Sequence, residues 1–282
     1  MKVAFHLFET IHSKKDAASS RIRGRWLIKY WPEAEEFING QKYDAVIFQK
    51  VYLTEYAKLF DGIKILDICD PDMYVGNDIR QMVEDLDAIV VSTPALQEVL
   101  LQTTNKPVIV IPDRHDLEYF KEKKFHKGKA KEVVWFGYSH NAGSLKQIKY
   151  SLERFGLNLS IISENPVSII NEDDKGKWNE RWTKWSLEKV NTEIIKSDIV
   201  IMPLSLNPMH RFKSNNKIIH SWLLRMPVAF SAEDLERFLS AEEREREAEK
   251  NYQEAVKNWD VRISVQEYKD LIERIRNDKK NI

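Results

Sequence analysis

Short continuous apolar runs alternate with amphipathic segments in the first half of the chain. Such runs, bounded by polar residues, are typical of parallel strands that are covered on both faces, and apolar residues three or four positions apart indicate helices. The pattern predicts strands at residues 2–8, 45–48, 63–68, 88–91 and 108–111. It predicts helices at residues 20–30, 54–60, 77–85 and 94–102. Repeated β-α-β units of this kind indicate a doubly wound fold.

The second half of the chain repeats this alternation. Strands are predicted at residues 133–136, 157–162, 199–201 and 228–230, and helices at residues 142–155 and 185–196. A highly charged helix at residues 233–257 and a last helix at residues 265–276 end the chain. Two doubly wound halves in tandem predict an α/β fold with two Rossmann-like domains that face a central ligand cleft.

Residues 121–131 (KEKKFHKGKAK) interrupt the alternation. They include six lysines among eleven residues and show no apolar periodicity. A charge run of this kind is typical of a hydrated interdomain linker. A nucleic-acid patch is the alternative, although no alternation of aromatic and basic residues surrounds it. The predicted organisation is therefore a first Rossmann-like domain, a linker, a second Rossmann-like domain and C-terminal helices, at residues 1–120, 121–131, 132–240 and 241–282.

The composition excludes several classes of protein. The 282 residues include 44 basic and 44 acidic side chains, and this formal net charge of zero does not point to nucleic acid or an anionic membrane. Cys69 is the only cysteine, which excludes an internal disulfide and a cysteine-based zinc site. No apolar run approaches the roughly 18 residues of a transmembrane helix, and the N-terminus has no signal-peptide pattern. We therefore expect a cytoplasmic protein without a transmembrane segment.

Residues 213–231 combine a basic, Asn-rich loop with a helix and a short apolar strand. The helix start carries Lys213, Asn216 and Lys217, with Arg211 just before it. Free backbone N–H groups and the positive end of a helix dipole, beside cationic side chains, suit a phosphate or pyrophosphate. The alternative is a solvated helix start whose lysines bind nothing.

Six local strings, in this order and spacing, resemble the GT-B nucleotide-sugar glycosyltransferases. They are residues 18–24 (ASSRIRG), 65–72 (ILDICDPD), 87–96 (DAIVVSTPAL), 106–112 (KPVIVIP), 135–140 (WFGYSH) and 197–204 (SDIVIMPL). Residues 213–217 (KSNNK), followed by a helix and Pro227-Val228, resemble the donor-pyrophosphate motif of the bacterial and phage-like "group 1" branch. The resemblance covers roughly residues 1–235. It implies the GT-B architecture, with the acceptor side in the first domain and the nucleotide-sugar donor side in the second.

The resemblance also implies which residues hold the donor. Those expected to bind its diphosphate are Gly137, Ser139, Lys213, Asn216 and Lys217. A glycine directly after a strand lets backbone N–H groups approach a phosphate.

Asp70 and His140 are the candidate catalytic residues. Asp70 ends a predicted strand and is expected to bind a sugar hydroxyl or to orient the acceptor, but Asp-Pro-Asp is also a turn signal, so a turn cap is the alternative. His140 is either a donor ligand or a surface loop residue. Arg21 and Arg23 are possible basic residues of the cleft, as is Arg211. Because Arg21 and Arg23 are two positions apart on a helix, at most one of them is expected to reach a ligand.

The chain departs from the family at a pair of acidic positions. Many retaining relatives carry two glutamates eight positions apart, the second on the helix before Pro-Val. Counting back from Pro227, these positions hold His220 and Phe212. Neither side chain is acidic, so other groups bind the donor sugar and ribose, or the donor differs, or catalysis is lost.

The predicted function is sugar transfer from a UDP- or GDP-type nucleotide sugar to an acceptor. By resemblance the reaction is retaining, and it is expected to need neither a cofactor nor a metal ion, because lysines and a helix start supply the positive charge. The acceptor stays open among a glycan, a lipid-linked sugar, a protein and a modified DNA base. Two alternatives are a nucleotide-sugar epimerase or hydrolase that uses Asp70, His140 and His220, and a non-catalytic nucleotide-sugar-binding module.

Overall fold

The computed structural model describes residues 1–12, 17–74, 79–171, 176–204 and 207–281. The chain forms two compact units. The first unit consists of Met1–Asp116, Met209–Asn216 and Trp259–Ile282, and the second of Leu117–Pro208 and Lys217–Asn258. Each unit contains one wholly parallel sheet and its helices, which confirms the predicted α/β class with two doubly wound halves.

The strands are mostly the apolar runs of the sequence. Those of the first sheet are β1 Val3–Leu7, β2 Ala34–Glu36, β3 Ala45–Gln49, β4 Ile63–Ile68, β5 Ala88–Val91 and β6 Val108–Val110. Those of the second are β7 Glu132–Phe136, β8 Asn158–Ser163, β9 Glu180–Lys184, β10 Ile199–Ile201 and β11 Val228–Ala229. Two of them were not predicted, β2 and β9, because both are polar edge strands (AEE and ERWTK) and lack an apolar run.

The strand orders define where each sheet can hold a ligand. The first sheet has the order β2-β1-β3-β4-β5-β6 and the second β11-β10-β7-β8-β9. Chain progression therefore reverses between β1 and β3 in the first sheet, and between β7 and β10 in the second. In open parallel sheets, ligands bind beyond the carboxyl ends of the strands at such a reversal.

The described helices follow in chain order. They are α1 Phe8–His12, α2 Ala18–Ser20, α3 Trp26–Lys29, α4 Thr54–Leu59, α5 Arg80–Val83, α6 Pro94–Leu101, α7 Lys149–Phe155, α8 Val190–Ile195, α9 Asn216–Leu223, α10 Ala232–Arg237, α11 Ala241–Asn258 and α12 Val261–Lys280. A π-helical turn, Arg21–Arg25, joins α2 to α3, and the 3-10 helix Ser139–Ile148 precedes α7. The start of the helix predicted at residues 77–85 lies outside the described residues. None of the helices in the described ranges has the length and apolarity needed to cross a bilayer.

The charged helix predicted at residues 233–257 is two helices, α10 and α11. Ser231 begins α10 as a cap whose hydroxyl accepts a hydrogen bond from Asp234 N–H at 3.2 Å. The chain then turns, and Ser240 Oγ accepts a hydrogen bond from Glu243 N–H at 3.4 Å in the first turn of α11. Serine at these positions favours a helix start, and the second cap, inside the charged run, was not predicted.

Residues 121–131 do not form a hydrated linker but belong to the second unit. Lys124 N–H donates to Leu224 O at 2.9 Å, and Ala130 N–H donates to Leu239 O at 3.1 Å. Arg244, which is fully buried, donates to the carbonyl oxygens of Lys127 and Gly128 at 3.3 and 2.8 Å. These bonds to the backbone fix the segment despite its lysines. Five of them are exposed and keep their charges in water, whereas Lys124 Nζ donates to Ile195 O at 3.0 Å.

The unit boundaries also differ from the predicted ones at the C-terminus. Helix α11 belongs to the second unit, whereas α12 belongs to the first. Tyr268 of α12 is buried and donates a hydrogen bond to Asp67 of β4. The C-terminal helix thus completes the first unit's core instead of forming a separate region.

Candidate functional site

Gly137 and Lys217 meet at the carboxyl end of β7. Lys217 Nζ donates to Phe136 O at 3.2 Å and lies 5.0 Å from the centroid of the Trp135 ring. Gly137 has φ +155°, and a Cβ atom there would lie 2.6 Å from Lys217 Nζ. The sequence predicted both residues as diphosphate ligands. The structure brings them together at the point where the second sheet reverses its order.

Helix α9 sets the position of Lys217. Lys217 is in the first turn of α9, whose Ile219 and Leu223 are buried. Helix α9 ends where Arg225 adopts φ +57°, and the N–H groups of Arg225 and Met226 donate to Trp222 O and Ser221 O, each at 2.9 Å. These two bonds form a Schellman motif, which fixes the C-terminal end of the helix.

Asn216 and Ser214 bond to a carboxylate in the structure. Ser214 Oγ donates to Asp113 Oδ2 at 2.5 Å, and Asn216 Nδ2 donates to the same oxygen at 3.4 Å. The amide of Asn216 thus bonds to Asp113 in the structure, and its predicted role at the diphosphate stays a prediction. The carboxylate of Asp113 was overlooked in the sequence, although it follows β6 closely.

Ser139 bonds to Glu164, which was not among the predicted site residues. Ser139 N–H donates to Glu164 Oε2 at 2.9 Å, and Ser139 Oγ donates to Oε1 at 2.7 Å. Burial raises the pKa of Glu164, but these hydrogen bonds and the nearby His140 outweigh burial and leave the pKa lowered. Glu164 comes directly after apolar β8, which is the one sequence signal that marks it.

His140 is exposed beside this pair. Its ring stacks on Tyr138, with 5.8 Å between the ring centroids, and its Nε2 lies 3.1 Å from Asn141 Nδ2. Both aromatic rings are exposed at the start of the 3-10 helix. This placement agrees with the surface-loop alternative and leaves its predicted role as a donor ligand a proposal.

Asp70 lies beyond β4 between two lysines of the first unit. Lys50 Nζ donates to Asp70 Oδ2 at 2.7 Å, and Lys213 Nζ donates to Oδ1 at 3.2 Å. Burial raises the pKa of Asp70, but the two ammonium groups outweigh burial, and the pKa is lowered. The turn at Asp70 is closed by its backbone oxygen, which accepts Asp72 N–H at 2.8 Å. Among the described residues, the carboxylate of Asp70 thus bonds to lysines and to no backbone N–H of the turn.

Lys50 and Tyr52 complete the cluster around Asp70. Lys50 follows β3 with φ +53°, a left-handed conformation that is uncommon for a residue with a side chain. Its Nζ lies 3.5 Å from Asp72 Oδ1, and Tyr52 donates to Asp72 Oδ2 at 2.5 Å. Burial raises the pKa of Asp72, and it also raises that of Tyr52. The cluster lies at the order reversal of the first sheet, next to Phe8, whose ring centroid is 5.2 Å from Lys50 Nζ.

Arg23 does not fit the predicted cleft position. Its guanidinium is buried and donates to Asp67 Oδ1 at 2.6 Å and to Asp113 Oδ1 at 2.7 Å. Arg21 is half-buried and its guanidinium lies 5.5 Å from the Trp26 ring centroid. Residues two positions apart point to different sides of a helix, and Arg23 is on the buried side of this turn, with Ile22 and Gly24.

Arg211 is an exposed residue of the first unit. It belongs to a short 3-10 helix, Pro208–Phe212, and its guanidinium lies over the ring of Phe212, 4.6 Å from the centroid. An exposed arginine at this position stays a candidate for contacting a ligand anion.

The two positions that hold glutamates in many relatives carry aromatic rings here. His220 Nε2 lies 2.8 Å from Asn191 Oδ1. The His220 ring packs edge-on against the ring of Phe120, with 4.8 Å between their centroids. Phe212 is buried in the core of the first unit. Within the described ranges, no group of three or more His, Cys, Asp or Glu side chains is arranged to hold a metal ion.

Solved structures share this fold, whereas models of protein families give no match and neither do curated proteins. HepE from Anabaena, in complex with UDP and glucose, has a TM-score of 0.67 and 10% identity over 97% of this chain and 99% of HepE. T4 phage BGT, in complex with UDP-glucose, has a TM-score of 0.57 and 10% identity over 98% of this chain and 99% of the enzyme. TarM has a TM-score of 0.57 and 10% identity, and the match covers 81% of this chain but only 54% of TarM. The chain therefore has the GT-B fold that the sequence predicted.

Proposed function

We propose that the protein transfers a sugar from a UDP- or GDP-linked donor to an acceptor. The observation that carries this proposal is the Lys217 ammonium group, which lies 3.2 Å from Phe136 O and beside Gly137 at the carboxyl end of β7. Such a site suits the diphosphate of a nucleotide. It lies where the strand order of the sheet reverses, and it combines a cation with a glycine whose backbone a phosphate can approach closely. Support comes from the shared fold of HepE, which was solved with UDP and glucose.

The chemistry that this arrangement offers is stabilisation of the leaving group. In glycosyl transfer the diphosphate gains negative charge as the bond to the sugar breaks. A fixed ammonium group and oriented N–H dipoles aimed at that charge lower the barrier, because they need no reorganisation during the reaction. In this proposal Lys217 supplies the charge at the diphosphate, and no metal ion is needed.

Asp70 has a different part in the proposal. A carboxylate whose pKa is lowered by Lys50 and Lys213 is a weak base at neutral pH. It remains a strong hydrogen-bond acceptor for a sugar or acceptor hydroxyl. We therefore assign Asp70 to orienting a hydroxyl, and the retaining course of the reaction rests on the family resemblance alone.

A second candidate function is nucleotide-sugar binding without turnover. It is favoured by His220 and Phe212, which place no carboxylate where many retaining relatives carry one. Under this alternative Lys217 would still bind a diphosphate, but no sugar would be released or transferred.

The test is to incubate the protein with UDP- and GDP-sugars and mixed glycan, lipid-linked, peptide and DNA acceptors, and to measure free UDP or GDP. Sugar transfer predicts acceptor-dependent release that persists in EDTA, and NMR of the product gives its anomeric configuration. Binding without release supports the second candidate.

Lys217→Ala should weaken UDP or GDP binding roughly ten- to a hundredfold, since a bond to a charged group is lost. Exposed Lys129→Ala is the matched control and should bind like the parent. Equal binding by Lys217→Ala would refute the proposed site.

A further inference from the structure

The second sheet has the strand order of a mononucleotide-binding half. Counted from β7, its order β11-β10-β7-β8-β9 reads five, four, one, two, three. In sheets of this order, the phosphates lie beyond the first strand, and an acidic residue near the end of the second strand bonds to the ribose hydroxyls. Here β7 is the first strand and ends before Gly137, while β8 is the second and ends before Glu164.

Glu164 occupies the position of that acidic residue. Strands β7 and β8 are hydrogen-bonded neighbours, with Phe136 opposite Ile162. Neighbouring strands lie about 4.8 Å apart, so residues that follow their ends are also close. The hydrogen bonds from Ser139 to Glu164 show that the two chain segments meet beyond these strand ends.

The carboxylate of Glu164 is both oriented and able to accept more bonds. Ser139 holds it from two donors, the backbone N–H at 2.9 Å and the hydroxyl at 2.7 Å. A carboxylate has about four acceptor positions. In the part of the chain that the structure describes, Ser139 N–H donates to Oε2, Asn165 Nδ2 donates to Oε1 at 3.4 Å and the backbone N–H of Glu164 itself also donates, while the side chain is partly exposed to further donors. Its pKa is lowered, so it is ionised at neutral pH.

Glu164 offers the carboxylate that is absent at His220. The position where many relatives carry their second glutamate holds an imidazole here, which bonds to Asn191 and packs on Phe120. A site for a ribonucleotide then needs its hydroxyl acceptor elsewhere. Glu164 follows the strand next to the one that ends at the proposed diphosphate site.

We propose that Glu164 accepts hydrogen bonds from the 2′- and 3′-hydroxyls of the donor's ribose, and that Ser139 is a positioning residue for it. The inference rests on the proposed function, and it makes the donor a ribonucleotide. Ser139 thereby takes part in donor binding through Glu164 instead of contacting the diphosphate. A deoxyribonucleotide would leave part of the carboxylate without its partner, which is the basis of the discrimination.

The experiment compares UDP with 2′-deoxy-UDP by isothermal titration calorimetry, with GDP and 2′-deoxy-GDP as a second pair. The parent protein should bind the ribonucleotide roughly tenfold more tightly, since one hydrogen bond to a charged group is lost with the 2′-hydroxyl. Glu164→Ala should bind UDP roughly ten- to a hundredfold more weakly, and its preference for UDP over 2′-deoxy-UDP should vanish. Exposed Glu188→Gln is the matched control in the same unit and should keep both affinities.

Ser139→Ala keeps the backbone N–H bond and tests the positioning role. It should reduce, but not abolish, the preference for the ribonucleotide, which a purely structural effect would leave unchanged. A parent protein that binds both nucleotides equally overturns the inference, as does a Glu164→Ala variant that still prefers UDP. If neither UDP nor GDP binds, the proposed function itself fails. If only the ribose contact is wrong, UDP should still bind tightly, and this binding should still depend on Lys217.

Discussion

Arg23 and Asp67 form a buried ion pair in the first unit, with 2.6 Å between Nε and Oδ1 and side-chain exposures of 3% and 0%. The same guanidinium donates to Asp113, whose other oxygen accepts Ser214 Oγ. The π-helical turn, β4, the segment after β6 and the segment before α9 are thus joined through one arginine. Since its donors are used inside the unit, Arg23 holds the fold together.

Replacing Arg23 by alanine should destabilise the protein strongly. Asp67 and Asp113 would remain buried without their partner, and breaking a buried pair costs about 3–5 kcal/mol in the free energy of unfolding. Urea denaturation followed by tryptophan fluorescence measures this. Arg154→Ala is the control, because the side chains of Arg154 and its partner Glu236 are 51% and 58% exposed, and its loss should cost about 1 kcal/mol or less. Similar losses for the two variants would refute the assigned role of Arg23.

Much of the fold could be predicted because the strands of doubly wound sheets carry apolar runs. β4, β5 and β10 have the predicted bounds, since all of their residues except Lys64 are buried. Edge strands have no such requirement, which is why β2 and β9 gave no signal. The segment at residues 121–131 was misleading for a related reason: most of its lysines are exposed while its backbone is fixed by hydrogen bonds, and composition reports only side chains.

The residues of the candidate site likewise fall into two groups, those that the sequence marks and those that it does not. Gly137 and Lys217 could be predicted because each is tied to a local string that marks a strand end or a helix start. Lys50 and Glu164 could not, because their relevance depends on partners far along the chain, Asp70 and Ser139. A carboxylate or ammonium group looks the same in a sequence whether it meets solvent, a counter-ion or a ligand.

Gly137→Ala should displace the Lys217 ammonium group. The added Cβ would lie 2.6 Å from Lys217 Nζ, and φ +155° is a conformation that alanine rarely adopts. The backbone strain should cost about 1–3 kcal/mol of stability. The thermal stabilisation produced by saturating UDP or GDP should also fall, because the amine can no longer occupy its position.

Gly143→Ala is the matched control for that experiment. It lies in the 3-10 helix Ser139–Ile148, and nothing lies within 4 Å of the Cβ atom it would gain. Its melting temperature and its stabilisation by nucleotide should match those of the parent. Full nucleotide protection of Gly137→Ala would show that the close approach of Gly137 and Lys217 does not matter for binding.

Asp70→Asn should separate binding from turnover. The substitution keeps the shape but removes the charge that holds Lys50 and Lys213. If Asp70 orients a hydroxyl, the rate of diphosphate release should fall at least tenfold, by loss of a bond to a charged acceptor. Nucleotide affinity should hold or increase, because Lys213 loses its counter-ion and remains a candidate for the diphosphate. Exposed Glu55→Gln, in the same unit, should change neither quantity. Unchanged turnover in Asp70→Asn would remove Asp70 from the site.

Stability should fall as the pH drops below about 6.5, and His115 is one cause. Burial lowers the pKa of His115 to about 4, despite the opposing effect of Asp113. Because the unfolded chain takes up this proton near pH 6.5 and the folded chain near pH 4, protonation favours unfolding in between. His115 should therefore account for a loss of about 2 kcal/mol between pH 7 and pH 5.

His115→Gln still offers a donor to Asn216 O, 3.0 Å from Nε2 in the parent, but cannot titrate. Its unfolding free energy, measured with urea at pH 7, 6 and 5, should depend on pH less steeply than that of the parent. Part of the slope should remain, because burial also lowers the pKa values of His6 and His126. An equal slope in the parent and in His115→Gln would mean that His115 is protonated equally in both states.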